Sequence, residues 1–166
     1  HWIGHLHVNN CEFDKALTYL NTALEINKAA ATKWGISIMM ACIGANVFIH
    51  KGDLNTATKY TQEAVQLAEE SGDLFPKAEA YTNYGFNCVE KGSLEEAEEY
   101  LLKAMDFGDR SKNLVMQAHA FLYLGDLYCL LGDFDRSLEF YIKNATVYRE
   151  YSFKGVSKEY VAAVSG

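Results

Sequence analysis

The sequence predicts an all-α solenoid, built from about four stacked helix-turn-helix pairs. Three observations predict it. Segments of the chain align on one another without gaps at a period of about 40 residues. Each segment carries two stretches of apolar residues at helical spacing. In three of the four segments a glycine followed by a helix-capping residue stands between those stretches. Self-similarity at a fixed period of this size is the mark of a repeat architecture.

The repeats are "IGHLHVNNCEFDKALTYLNTAL", "GANVFIHKGDLNTATKYTQEAV", "YGFNCVEKGSLEEAEEYLLKAM" and "LGDLYCLLGDFDRSLEFYIKNA". Three registers run through them. Ala16, Ala57, Ala97 and Ser137 are equivalent, at spacings of 41, 40 and 40. Gly4, Ala45, Gly85 and Gly125 form a second register, and Cys11, Gly52, Gly92 and Gly132 a third.

The first pair is expected over 1–28, with helices over about 1–9 and 13–27. The second spans 29–71, with helices over about 30–50 and 54–70, and Asp53 caps the latter. The third, over 73–108, shows the logic most clearly. In its first helix, 74–91, Ala80, Tyr81, Tyr84, Gly85 and Cys88 make one apolar stripe. Gly92 ends that helix, because glycine readily takes the left-handed conformation at a helix C-terminus. Ser93 and Glu96 then form a capping box for the helix over 94–107, whose Leu94, Ala97, Leu101 and Ala104 share a face. The fourth pair, 111–150, has helices over about 112–131 and 134–150, the second capped by Asp133. Residues 154–165 read as the start of a further helix, and the whole as a fragment of a longer protein.

A glycine inside a helix costs about 1 kcal/mol relative to alanine. One that recurs there marks a place where two helices approach too closely for a side chain. Gly85 against Ala97 is the expected contact within a pair, and Ala104 the small residue that admits the next pair.

The repeating unit resembles the tetratricopeptide repeat (TPR). Tyr81, Tyr84, Gly85, Cys88, Ala97, Leu101 and Ala104 take the places of that family's pattern. In the last unit Phe121, Leu124, Gly125, Tyr128, Ser137 and Tyr141 take them, and Asn144 replaces the last small residue. The family's usual period is roughly 34 residues. Here the surplus is expected between units, in "LAEESGDLFPKA" and "FGDRSKNLVMQA". This is similar to the long-period repeats of kinesin light chains, of G-protein-regulating scaffolds and of bacterial signalling and transcription regulators.

The resemblance implies a right-handed superhelix with a concave groove lined by the first helices. Carried over position by position, it puts Trp2, His5 and Asn9 in the groove from unit one. Met39, Cys42, Ile43, Asn46, Ile49 and His50 follow from unit two. Unit three supplies Glu79, Thr82, Asn83, Phe86, Val89 and Glu90; unit four supplies His119, Leu122, Tyr123, Asp126, Cys129 and Leu130. Cys42, Ile43, Leu122 and Cys129 read equally well as core. The peptide-binding set is therefore Asn46, His50, Glu79, Asn83, Phe86, Glu90, His119, Tyr123 and Asp126. Relatives that grip a terminal carboxylate use Lys and Arg, and none stands at these positions. The ligand implied is a protein segment, helical or extended, partly apolar and neutral to basic. The alternative is a regulatory domain of a larger signalling or transcription-regulatory protein, binding an effector or its own neighbouring domain.

The net charge of −7, with the acidic run "SLEEAEEY", argues against nucleic acid and anionic membrane as partners. No stretch reaches the roughly 18 apolar residues of a membrane span. Four cysteines, Cys11, Cys42, Cys88 and Cys129, lie far apart without a CxxC, which fits core thiols in the cytoplasm. "HWIGHLH" offers His1 and His5 on one face with His7 nearby, but no carboxylate or Cys completes a zinc or nickel set. The Asn144 glycosylation triplet lies in a packed helix, where no glycan is expected. No acid–base or nucleophile pattern links the polar groove residues, so no catalysis and no cofactor are expected. Apolar ends around Trp2 or Val161 are the expected route to weak self-association.

Overall fold

The computed structural model describes the backbone of residues 2–164 and the side chains of residues 3, 4 and 6–150. Eight α-helices occupy the described residues, and no strand is present among them. They are α1 (Trp2–Asn9), α2 (Phe13–Ala29), α3 (Lys33–Ile43), α4 (Leu54–Ser71), α5 (Leu74–Lys91), α6 (Leu94–Arg110), α7 (Leu114–Leu130) and α8 (Phe134–Val164), with a π-helical turn over Gly44–Phe48 after α3. The segment expected to begin a separate helix at residue 154 is instead the continuation of α8, which runs unbroken to Val164.

Each helix packs on the next in sequence. In addition α3 touches α5, α5 touches α7, and α1 touches the π turn. No such contact joins α2, α4, α6 and α8 to one another among the described residues. The odd helices thus form one touching row while the even helices splay apart behind it. A double layer closer on one side than on the other curves toward the closer side. The row α1–α3–α5–α7 is the inner face.

Turns within the pairs share one geometry. Cys11, Gly52, Gly92 and Gly132 all have φ between 58° and 78°. The following amide donates back to a carbonyl five residues earlier: Glu12 to His7, Asp53 to Phe48, Ser93 to Cys88 and Asp133 to Tyr128. This six-residue closure satisfies carbonyls that the helix end leaves open. The turns between units also use left-handed residues, at Ala31, Gly72 and Lys112.

The surplus over the ordinary period does not form loops. Most of "LAEESGDLFPKA" and "FGDRSKNLVMQA" is helical, with only residues 72–73 and 111–113 between α4 and α5 and between α6 and α7. Longer helices, not longer connections, account for the period. Pro76 is the third residue of α5, where its missing N–H breaks no helical hydrogen bond.

Two of the expected caps hold. Asp53 accepts from the Thr56 amide and Asp133 from the Arg136 amide, each at 3.0 Å. Ser93 stands at the N-terminus of α6 but makes no side-chain capping bond. Its expected partner Glu96 instead accepts from the Tyr84 hydroxyl at 2.8 Å. That bond ties α6 to α5, and the capping box is absent.

The recurring glycines mark close approaches, with different partners from those expected. A Cβ on Gly85 would lie 2.7 Å from Leu101, so Leu101, not Ala97, fills the space before it. Gly4 meets Leu20 and Gly125 meets the Tyr141 ring in the same way. In unit two the position falls on Gly44, which faces Thr61, and not on Ala45. The reason is a one-residue insertion. Gly92 follows Gly85 by seven positions and Gly132 follows Gly125 by seven, but Gly52 follows Gly44 by eight. The π turn absorbs the extra residue. Between pairs Ala104 is fully buried with Tyr81 and Ala120, as expected of the residue that admits the next unit. At the equivalent place Asn144 donates to the Ala118 carbonyl at 2.6 Å, replacing a small contact by a hydrogen bond.

The core runs between the helices in two large clusters, one around Leu20, Ile43 and Val47, the other around Leu101, Leu124 and Tyr128. The cysteines divide: Cys42 and Cys88 are buried, whereas Cys11 and Cys129 are exposed, contrary to a uniform core role. The side chains of Trp2 and Val161, expected at the solenoid ends, lie outside the described residues. Among the described residues, the exposed large apolar side chains of the last helix are Phe134, Leu138, Ile142 and Tyr148. His1 and His5 also lie outside the described side chains. His7 bonds Glu12 through Nδ1 at 2.6 Å, so a carboxylate does reach it. No cluster of three His, Cys, Asp or Glu able to hold a metal occurs among the described residues.

Candidate functional site

The inner helices present the expected residues in two groups. The first centres on Glu79 of α5. Asn83, one turn along the same helix, donates to Glu79 Oε1 at 3.1 Å. The Cys42 thiol of α3 donates to the same oxygen at 3.9 Å. His119 of α7 is near enough for its charge to act on the carboxylate. Three successive inner helices therefore converge on one acid. Loss of hydration there raises the Glu79 carboxyl above its usual range, outweighing the opposing pull of His119 and of the Asn83 and Cys42 hydrogen bonds.

The second group lies toward the other end of α5. Phe86 and Tyr123 stack across the α5–α7 seam with ring centroids 4.6 Å apart and planes 17° from parallel. Beside them opens a cleft of about 280 Å³, bordered also by Val89, Glu90, Asp126, Cys129, Leu130 and Tyr141. Asp126 accepts from the Tyr141 hydroxyl at 2.7 Å, which fixes one carboxylate oxygen. That bond, together with burial, pushes the Tyr141 phenol up to about 12, so it stays a donor at neutral pH. Burial pushes Tyr123 up to about 12 as well, and Glu79, Asp126 and Glu90 add to the shift. All three groove carboxylates thus act on one ring.

Two expected residues belong to neither group. Asn46 is half-buried in the π turn. His50 is exposed at its end and stacks on Phe13 of α2, centroids 5.8 Å apart. Met39, Cys42, Ile43 and Ile49 are buried in the core clusters. The π turn explains Met39 and Ile43. Before the insertion, unit two is offset from unit three by 41 residues, which aligns Ile43 with the buried Tyr84 and Met39 with Ala80. Leu122 is half-buried, and Cys129 and Leu130 are exposed. Tyr141 was not expected at the site. It lies on a second helix, and its place is held by Leu20, Thr61 and Leu101 in the other units. A polar-tipped aromatic at that position was the available signal.

A larger hollow of about 550 Å³ lies at the α7–α8 turn around Asp133 and Arg136, but those two side chains satisfy each other there.

An all-α array of helix pairs, with polar and aromatic residues gathered on its inner row, defines an α-solenoid repeat protein. The tetratricopeptide repeat family model matches residues 1–29 and 78–107, which are units one and three. Those two units are tetratricopeptide-like, and the solenoid as a whole has the fold of a tetratricopeptide-repeat array. Among solved structures it is similar to BtubC (BKLC) from P. vanneervenii, at 17% identity and a TM-score of 0.68. That match covers 90% of this chain and 62% of BtubC, so the chain spans less than two thirds of its neighbour's length. No curated protein matches. Repeats of this kind generally mediate protein–protein interaction, and their fold is a non-enzymatic scaffold. No described helix is long and apolar enough to cross a membrane.

Proposed function

We propose that this chain is a protein-interaction scaffold that holds a peptide or helix of a partner on the inner helix row. The observation that carries this reading is the Phe86–Tyr123 stack with its adjoining cleft. Aromatic side chains beside a cleft supply contact area at low entropic cost. Glu79, Glu90 and Asp126 are the only formally charged side chains in the predicted groove set apart from the histidines, so the partner segment is neutral to basic and partly apolar. Asn83 already spends its Nδ2 on Glu79 and on the Glu79 carbonyl. That orients Glu79 and leaves the Asn83 Oδ1 as the atom that would accept from a peptide backbone.

The regulatory-domain reading uses the same groove for an effector or a neighbouring domain, and nothing in the described residues favours it. The test is retention of a partner by the native chain and by a Phe86→Glu/Tyr123→Glu variant with unchanged helical circular dichroism. A protein held by the first and lost by the second is the expected result. Equal retention by both removes the inner row as the binding face.

A further inference from the structure

Ion pairing is distributed unevenly over this molecule. Eight carboxylates on the second helices are paired with Lys or Arg, Asp14, Glu25, Glu69, Glu70, Glu98, Glu99, Asp106 and Glu139, while Glu63, Glu95, Glu96, Asp109, Asp135 and Glu150 have no such partner among the described residues. The inner helices carry three carboxylates, Glu79, Glu90 and Asp126, and none of them has a Lys or Arg partner among the described residues. Two of the three, Glu90 and Asp126, border the cleft beside Phe86 and Tyr123.

We infer that this cleft is a subsite for one arginine side chain of the bound segment. The inference rests on the groove reading above and adds the chemistry of its central contact. A guanidinium is a flat cation that stacks on an aromatic face and takes carboxylate oxygens in a fork. The cleft offers both features. Phe86 and Tyr123 are partly buried, and both border the cleft, which gives a ligand an aromatic wall. Asp126 has Oδ1 engaged by Tyr141, which holds the carboxylate in place for a partner. Glu90, exposed at the rim, closes on the cation from the adjacent turn. The arginine stem lies along Val89 and Leu130, which are apolar and border the same cleft. Lysine matches the charge but not the stacking or the fork, so arginine is favoured over it.

The experiment is a selection of a random displayed peptide library on the native chain. It is followed by titration of the enriched peptide and of its arginine-to-citrulline form, which keeps the shape and removes the charge. Arginine at one fixed position, flanked by apolar residues, is the expected outcome. Citrulline is expected to weaken binding about tenfold, as loss of a charge-assisted pair does. Glu90→Gln and Asp126→Asn are each expected to weaken the arginine peptide several-fold and to leave the citrulline peptide nearly unchanged. Asn at 126 still accepts from Tyr141, and Glu90 is exposed, so both variants keep the fold. Peptides that are lost on Phe86→Glu/Tyr123→Glu yet show no arginine preference, or respond equally to lysine, overturn the subsite and leave the groove standing. Selection of no peptide at all overturns the groove and the subsite with it.

Discussion

Gly85 shows how much a single atom matters in this array. Its absent side chain lets Leu101 approach, and Leu101 is fully buried. Gly85→Ala gains about 1 kcal/mol of helix propensity but places a methyl 2.7 Å from Leu101. Overpacking of that kind costs about 1–3 kcal/mol. A net loss is expected, read as a lower urea midpoint at unchanged slope; a gain would mean that the seam is loose enough to accept the methyl. Glu79 carries a second expectation. Its folded pKa lies above its unfolded one, because desolvation outweighs the help of His119, Asn83 and Cys42. Its contribution to stability is therefore fully present below the ordinary carboxylate pKa and is lost as the pH rises through the raised value. Glu79→Gln keeps an acceptor for Asn83 and Cys42 and removes the charge. The variant is expected to melt higher than the native chain at neutral pH, and the gap to close as the pH falls. A variant that melts lower at neutral pH would show that the carboxylate is better solvated than its position implies.

At the scale of one element, the π turn over Gly44–Phe48 is an accommodated insertion. The registers on either side of it disagree by one residue, and widening one helical turn reconciles them without breaking α3 from its neighbours. Deleting Ala45 restores the seven-residue spacing between glycines found in units three and four. It also leaves Val47 and Ile49 facing the core as Asn87 and Val89 do. Such a deletion is expected to keep the helical circular dichroism and to leave the melting temperature unchanged or higher. A fall of several degrees would mean that the bulge itself is needed, for example to aim Asn46. The capping pattern is also set at this scale. Asp53 and Asp133 bond the first-turn amides, while Ser93 does not; the Glu96 side chain bonds Tyr84, and the Ser93 amide donates to Cys88.

Over the whole molecule, each unit touches only its neighbours in the stack. Stability in such an array is close to a sum of units and nearest-neighbour seams. Units with a neighbour on both sides are held at two seams, those at the ends at one. Amide hydrogen exchange is therefore expected to be slowest in α4, α5 and α6 and faster in α1 and α8. Uniform protection would show that the array unfolds as a single cooperative block. Two of the inner row's three carboxylates, Glu79 and Glu90, stand on α5, in a unit held at two seams, where a ligand meets a prearranged surface.

The all-α repeat, the pairing of helices and the left-handed turn at Gly52, Gly92 and Gly132 were legible in the residues alone. Periodicity and glycine placement are local signals, and four copies reinforce one another. Also legible was that Phe86, Glu90, Tyr123 and Asp126 share a face, since each follows from its register within a unit. Contacts that cross between helices were not legible. Leu101 opposite Gly85, Glu96 under Tyr84, Tyr141 on Asp126 and Cys42 on Glu79 all join residues 12 or more positions apart. Nor was the insertion at Ala45, because a gapless alignment holds whichever register has more matches and hides the shift. A repeat pattern states which residues face inward, because helical geometry alone decides that. Which inward residue meets which depends on how closely two helices approach, and that distance is settled only when every side chain in the seam has been packed.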